Sequence, residues 1–160
     1  MGNHVIFMYS YHQMNTQKIT NSIAGKINAL LIDIKTNDKP INLDAYDLIG
    51  FSAGIAVGKH YPQMMSFVEK LPDVQNKKAF IISTSGGYSN KKMKKNHKAL
   101  RNLLQKKGFI ILDEFGCKGY TAFKIFKFTF RMNKGRPNDE DIKNAEIFAD
   151  KLLNNCTDEY

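Results

Sequence analysis

The sequence predicts an α/β protein: a doubly wound, five-stranded parallel sheet with helices on both faces. Three observations carry this expectation. Short apolar runs recur at 5–9 (VIFMY), 30–34 (LLIDI), 47–52 (DLIGFS), 79–83 (AFIIS) and 109–112 (FIIL). Stretches with helical spacing of apolar residues separate most of them. The runs are apolar at nearly every position, so both faces need cover, as in parallel sheets wrapped by crossover helices.

Each element has its own warrant. After the first run comes a polar loop, 10–16, and then Ile19, Ile23, Ala24 and Ile27 at helical spacing. The second run leads into a polar connector, 36–43, with Pro40. The third is followed by 53–61, which reads as a loop holding Gly54 and Gly58. Pro62 suits a first helical turn, and Met65, Val68 and Leu71 give that helix an apolar face. The fourth run enters a second hydroxyl- and glycine-rich loop, 83–89. A basic helix over 91–107 buries Met93, Leu100, Leu103 and Leu104 and stops at Gly108. The fifth run opens a long connector, 113–137. A last helix starts at Asn138, with Asp139, Glu140 and Asp141 facing its dipole and Ile142, Ala145, Ala149 and Leu152 turned inward.

Length and composition bound the class. With 160 residues and 42% apolar content the chain is expected to form one domain. No apolar run approaches the roughly 20 residues of a membrane span. The first residues lack the parts of a signal peptide, so a cytoplasmic location is expected. Cys117 and Cys156 fit neither a metal-ligand spacing nor a disulfide framework. The formal charge of +9 is mostly lysine. It reads either as a compositional bias toward lysine or as attraction for an acidic partner.

The loops at 10–16, 53–61 and 83–89 all follow strand C-termini and so converge on one edge of the sheet, where such folds bind ligands. The first holds Ser10, His12, Gln13, Met14, Asn15 and Thr16. Its hydroxyls, amides and helix-start N–H groups suit a phosphate dianion, although Ser10, Asn15 and Thr16 can also serve simply as helix caps.

The loop resembles the phosphate loop of flavodoxins, commonly Ser-x-x-Thr-Gly-Asn-Thr. Ser10, Asn15 and Thr16 match, while Gln13 and Met14 replace Thr and Gly. Three more stretches are similar to small flavodoxin-family proteins: LIGFSAGIAVGKH (48–60), AFIISTSGG (79–87), and EFGCKGYTAF (114–123) with KGRPNDEDIKNA (134–145). The resemblance spans nearly the whole chain. It implies strand order 2-1-3-4-5, FMN binding and electron transfer. Met14 stands where a left-handed backbone would favour glycine. The family is usually acidic, whereas this chain is basic.

With FMN as the expected ligand, further residues acquire roles. Ala53, Gly54 and Ile55 are placed beside the ring, with Gly54 free to rotate a peptide toward it. Thr84, Ser85, Gly86 and Gly87 face its pyrimidine edge. His60, Tyr61 and Tyr88 are stacking candidates, each equally readable as ordinary loop packing. Cys117 lies near the expected ring, but nothing in its spacing ties a base or acid to it. The basic and aromatic segment 118–136 alternates like a half-buried strand over Phe126, Phe128, Phe130 and Met132 and has three readings: a flap or partner dock, a single-strand nucleic-acid binder, or simple packing against the sheet edge. The leading expectation is an FMN-binding electron carrier with an acidic, ferredoxin-like or reductase partner. Alternatives are an FMN-dependent oxidoreductase acting on a small substrate and an FMN-free binding module, with nucleic acid disfavoured.

Overall fold

The computed structural model describes residues 2–11 and 14–157. Strands β1 (His4–Tyr9), β2 (Ala29–Asp33), β3 (Leu48–Ala56), β5 (Lys77–Ser85) and β6 (Phe109–Lys118) form a sheet in the order β2-β1-β3-β5-β6. All four of these pairings are parallel. Between β3 and β5 lies β4 (Lys59–His60), which pairs antiparallel with the end of β3. Setting that short strand aside, the order is the 2-1-3-4-5 expected from the resemblance.

Helices cover both faces. On one, α1 (Asn15–Ile27) and α4 (Asp139–Thr157) pack Ile19, Ile23, Ala145, Phe148 and Leu152 against Ile6, Phe80 and Ile82. On the other, α2 (Pro62–Lys70) and α3 (Asn90–Lys106) bring Met64, Val68, Leu100 and Leu104 onto Val5, Phe7, Phe51 and Ile81. Helix α4 starts as expected. Asn138 Oδ1 accepts from the Asp141 amide at 3.1 Å, and the Asp141 carboxylate accepts from the Asn138 amide at 2.9 Å. Gly108 follows α3 at φ 93°, where an added Cβ would lie 1.8 Å from the Val74 carbonyl oxygen. Only glycine fits there.

Three sequence expectations are corrected. First, 53–61 is not one loop. Strand β3 runs on to Ala56 and turns at Val57 (φ 50°) and Gly58 (φ 77°) into β4. Two successive positive φ values make this a tight hairpin turn. Ser52, Ala53 and Gly54 are small for packing reasons. Ser52 Oγ meets Thr20 Oγ1 of α1 at 2.7 Å, and a Cβ on Gly54 would stand 2.6 Å from the Tyr61 ring. Second, β5 and β6 extend beyond their apolar runs, with one register shift between Ala79 and Phe80. Third, of the readings open for 118–136, packing against the sheet edge is ruled out, although the alternation at 128–132 does form a strand. The segment forms a separate antiparallel hairpin, β7 (Thr121–Ile125) and β8 (Phe128–Met132), whose large apolar side chains are exposed.

Candidate functional site

Four chain segments meet beyond the C-terminal ends of β1, β3, β5 and β6. From the expected site they bring Asn15, Thr16, Gly54, Ile55, Tyr61, Thr84, Ser85 and Gly86 into one cleft. Thr16 Oγ1 and Thr84 Oγ1 lie 2.8 Å apart on its floor. Tyr61 forms one wall, and its amide donates to the Gly54 carbonyl at 3.1 Å. Gly54 therefore sits within a paired strand with its carbonyl engaged, and the freely rotating peptide expected from the sequence is not present. Burial first, then Tyr9 and Tyr11, push the Tyr61 phenol up from its ordinary pKa.

The opening of α1 is built to receive an anion. Met14 takes the N-cap position in left-handed geometry (φ 54°, ψ 26°), so this residue does occupy the conformation that favours glycine. No side chain caps the helix at that position, and no acid lies in its first turn. No side-chain carboxylate of the first turn answers the positive end of the dipole. Ser10 is buried, and its Oγ accepts from the Gln17 amide at 3.3 Å. Beside this opening runs a basic groove lined by Met14, Lys18, Arg131, Lys134 and Arg136. Arg136 is paired with Asp141 at 2.8 Å, and Lys18 donates to the Pro137 carbonyl at 2.9 Å.

Other expected residues lie elsewhere. His12 and Gln13 fall outside the described residues. Ala53 belongs to the core beneath the sheet. Gly87 stands clear of the cleft lining, and a Cβ there would meet only the end of Lys92. Tyr88 lies against Gly116 and donates to Asn90 Oδ1 at 2.6 Å, off the cleft. Cys117 is in the core under α4, where burial pushes its thiol up to about 12. It is not a reactive thiolate.

His60 is no stacking residue either. It is buried in β4 with Nε2 3.3 Å from the Ile82 carbonyl, and its Nδ1 has no partner among the described residues. Its ring packs 4.8 Å from that of His97. His97 in turn bonds Ser83 Oγ at 2.6 Å and Glu114 at 2.9 Å, and Arg101 binds the same carboxylate. Burial opposes ionisation of Glu114, but the bonds from Arg101 and His97 outweigh it and hold the carboxyl down at about 2.

Sequence reasoning missed one wall of the cleft: Tyr11, Gly119, Tyr120, Thr121 and Ala122. The signal was the Gly119-Tyr120 pair within a stretch already read as family-like, two residues past Cys117. Asn15 Nδ2 donates to the Tyr120 carbonyl at 2.7 Å and bridges the first and last walls. The cleft measures about 130 Å³, against roughly 300 Å³ and more for typical small-molecule sites. A phosphate fits the donor set as it stands. No described helix is long and apolar enough to cross a membrane, and no cluster of metal-ligating side chains occurs among the described residues.

Comparison with known proteins bears on this arrangement. A family model described as a flavodoxin domain matches residues 6–134. The uncharacterized protein MJ0298 of Methanocaldococcus jannaschii is 46% identical over 153 residues, covering 94% of this chain and 98% of that protein. Among solved structures, an NADH:FMN oxidoreductase in its apo form superposes with a TM-score of 0.73 at 14% identity, covering 99% of this chain and 92% of the other. A Fusobacterium nucleatum flavodoxin bound to flavin mononucleotide gives 0.66 at 14% identity, covering 96% and 98%. At such identities the structural likeness speaks to the fold; the match along 6–134 goes further, and the chain belongs to the flavodoxin domain family.

Proposed function

We propose that this chain binds FMN and works as a cytoplasmic electron carrier. The observation that carries the reading is the start of α1, where Met14 gives no side-chain cap, no acid lies in the first turn, and Asn15 and Thr16 open onto a cleft beyond the strand C-termini. Amides of this first turn, with the Thr16 hydroxyl and the Asn15 amide, hold the phosphate. Tyr61 and the backbone of Gly54 and Ile55 flank the ring, and Thr84, Ser85 and Gly86 line its polar edge. FMN, when bound, supplies one- and two-electron chemistry, and the protein positions and tunes it. No carboxylate, histidine or lysine is among the described cleft residues, which favours a carrier over an enzyme with its own proton chemistry. The basic face of the β7–β8 hairpin, with Lys124 and Arg131, suits an acidic redox protein such as a ferredoxin or a reductase.

The test is a titration of the purified protein with FMN and with riboflavin, read by flavin absorbance and fluorescence. Binding near one FMN per chain, with riboflavin much weaker, is the expected result. Equal affinity for both removes the phosphate assignment, and no flavin binding removes the proposal. Reduction of the bound flavin by NAD(P)H with no second protein would move the reading to an oxidoreductase.

A further inference from the structure

The register of the β7–β8 hairpin sorts its side chains by face. Phe123 pairs with Phe130, Ile125 with Phe128 and Thr121 with Met132. Paired residues share a face, and successive residues alternate between faces. One face is therefore Phe123, Ile125, Phe128, Phe130 and Met132, closed by Thr121, with no charge on it. The opposite face carries Ala122, Lys124, Thr129 and Arg131. Each of the five large apolar side chains is between 41% and 71% exposed, and Phe123 and Phe130 stack at 5.5 Å. A lone two-stranded hairpin is marginal in water, and among the described residues this face is left exposed.

We propose that this face is covered by the same face of a second copy of the chain. Three features select that occupant. The first is chemistry: an interface centre free of charge and rich in Phe and Met is the composition of homodimer contacts. The second is area. The five side chains leave roughly 500 Å² of apolar surface open per copy, so two copies bury about 1,000 Å² from these side chains alone, the minimum a specific interface must clear before its rim is counted. The third is charge. Packed sheets lie about 10 Å apart, and the basic faces turn outward from there, beyond the screening length of about 8 Å at physiological salt. The +9 of each copy does not oppose this contact. A lipid surface fits less well. The apolar face lacks the Trp and Tyr of membrane-interface belts, and the vesicle arm of the test below separates a lipid surface from a second copy. The proposal is independent of flavin binding.

Sedimentation equilibrium of the full chain across micromolar concentrations tests it. The expected mass is twice the 18.3 kDa of one chain. Phe123→Ser with Phe130→Ser should bring it to one chain, since losing a central aromatic anchor weakens association roughly 30-fold or more. The variant's circular dichroism should match wild type. If the double variant loses its fold, Phe128→Ser takes its place at the most exposed position of the face. Lys124→Ser with Arg131→Ser should leave the dimer intact. A monomeric wild type overturns the proposal, and so does a dimer that survives loss of the aromatics or splits on loss of the basic pair. A monomer that sediments with phosphatidylserine vesicles would give the face to lipid and also overturn it.

Discussion

His60 makes acid stability a sharp test of the core beneath the cleft. Burial, then the neighbouring His97, lower its pKa to about 3. Its Nε2–H donates to Ile82, so Nδ1 holds a lone pair with nothing to accept a new proton's bond. In the unfolded chain the ring protonates near pH 6.5. Between there and about pH 3 the unfolded state binds a proton that the folded state refuses, and stability falls with falling pH. At 1.36 kcal/mol per unit, the loss between pH 7 and pH 5 is about 2 kcal/mol. Glu114 does not contribute in that window. Its carboxyl is held down at about 2, so its stabilisation is complete above the unfolded carboxylate range and is lost only as pH falls through that range toward 2. Urea unfolding at half-unit steps from pH 7.5 to 4.5 reads the slope. His60→Leu, of similar bulk and uncharged, should lose about 1 kcal/mol at neutral pH with its hydrogen bond and be nearly flat from pH 7 to 5. A flat wild type, or a variant with the wild-type slope, would refute the account.

Three further outcomes are expected. Thr16→Ala should weaken FMN roughly tenfold or more, the cost of one hydrogen bond to a charged group, and riboflavin far less; equal losses in a paired titration would mean a general packing defect. Met14→Gly should raise the melting temperature and tighten FMN, because left-handed backbone costs an L-residue about 1–2 kcal/mol, part of it offset by the more flexible unfolded glycine chain; unchanged values by thermal melt and titration would mean the loop carries no strain. Reversing Lys124, Lys127 and Arg131 to Glu should slow stopped-flow reduction by an acidic donor at low salt and little at high salt, with FMN affinity unmoved; a wild-type rate independent of salt would count against electrostatic steering.

Much of the fold was legible because the chain punctuates it locally. Gly108, Pro62 and Asn138 mark helix ends by backbone chemistry that depends on no distant residue. The apolar runs located all five parallel strands. Their ends were misread where the apolar run stopped: Ala53 and Gly54 look like loop residues until Tyr61 is seen against Gly54, and β6 continues through the charged Asp113 and Glu114. The β1–α1 side of the site was readable from its hydroxyls and amides. His60 and Tyr61 are adjacent and equally suited to stacking, yet a two-residue strand turns one into the core and leaves the other on the cleft. That choice is set by the Val57-Gly58 turn, whose positive φ at a valine no local propensity announces. The wall at 119–122 was hidden because its position depends on how far β6 runs.

The walls of the cleft come from four separate stretches, at Tyr11, Asn15 and Thr16, at Gly54, Ile55 and Tyr61, at 84–86 and at 119–122, and the Asn15–Tyr120 bridge joins residues 105 positions apart. No fragment that has folded only its first two or three strands owns the site. Whatever binds there recognises the finished fold alone, and its affinity passes undiluted into the folding equilibrium. At a free concentration one hundred times its dissociation constant, such a ligand adds about 2.7 kcal/mol to stability. A melting curve taken over a library of anionic cofactors is then a direct census of what this cleft accepts, with no need to know in advance what reaction it serves.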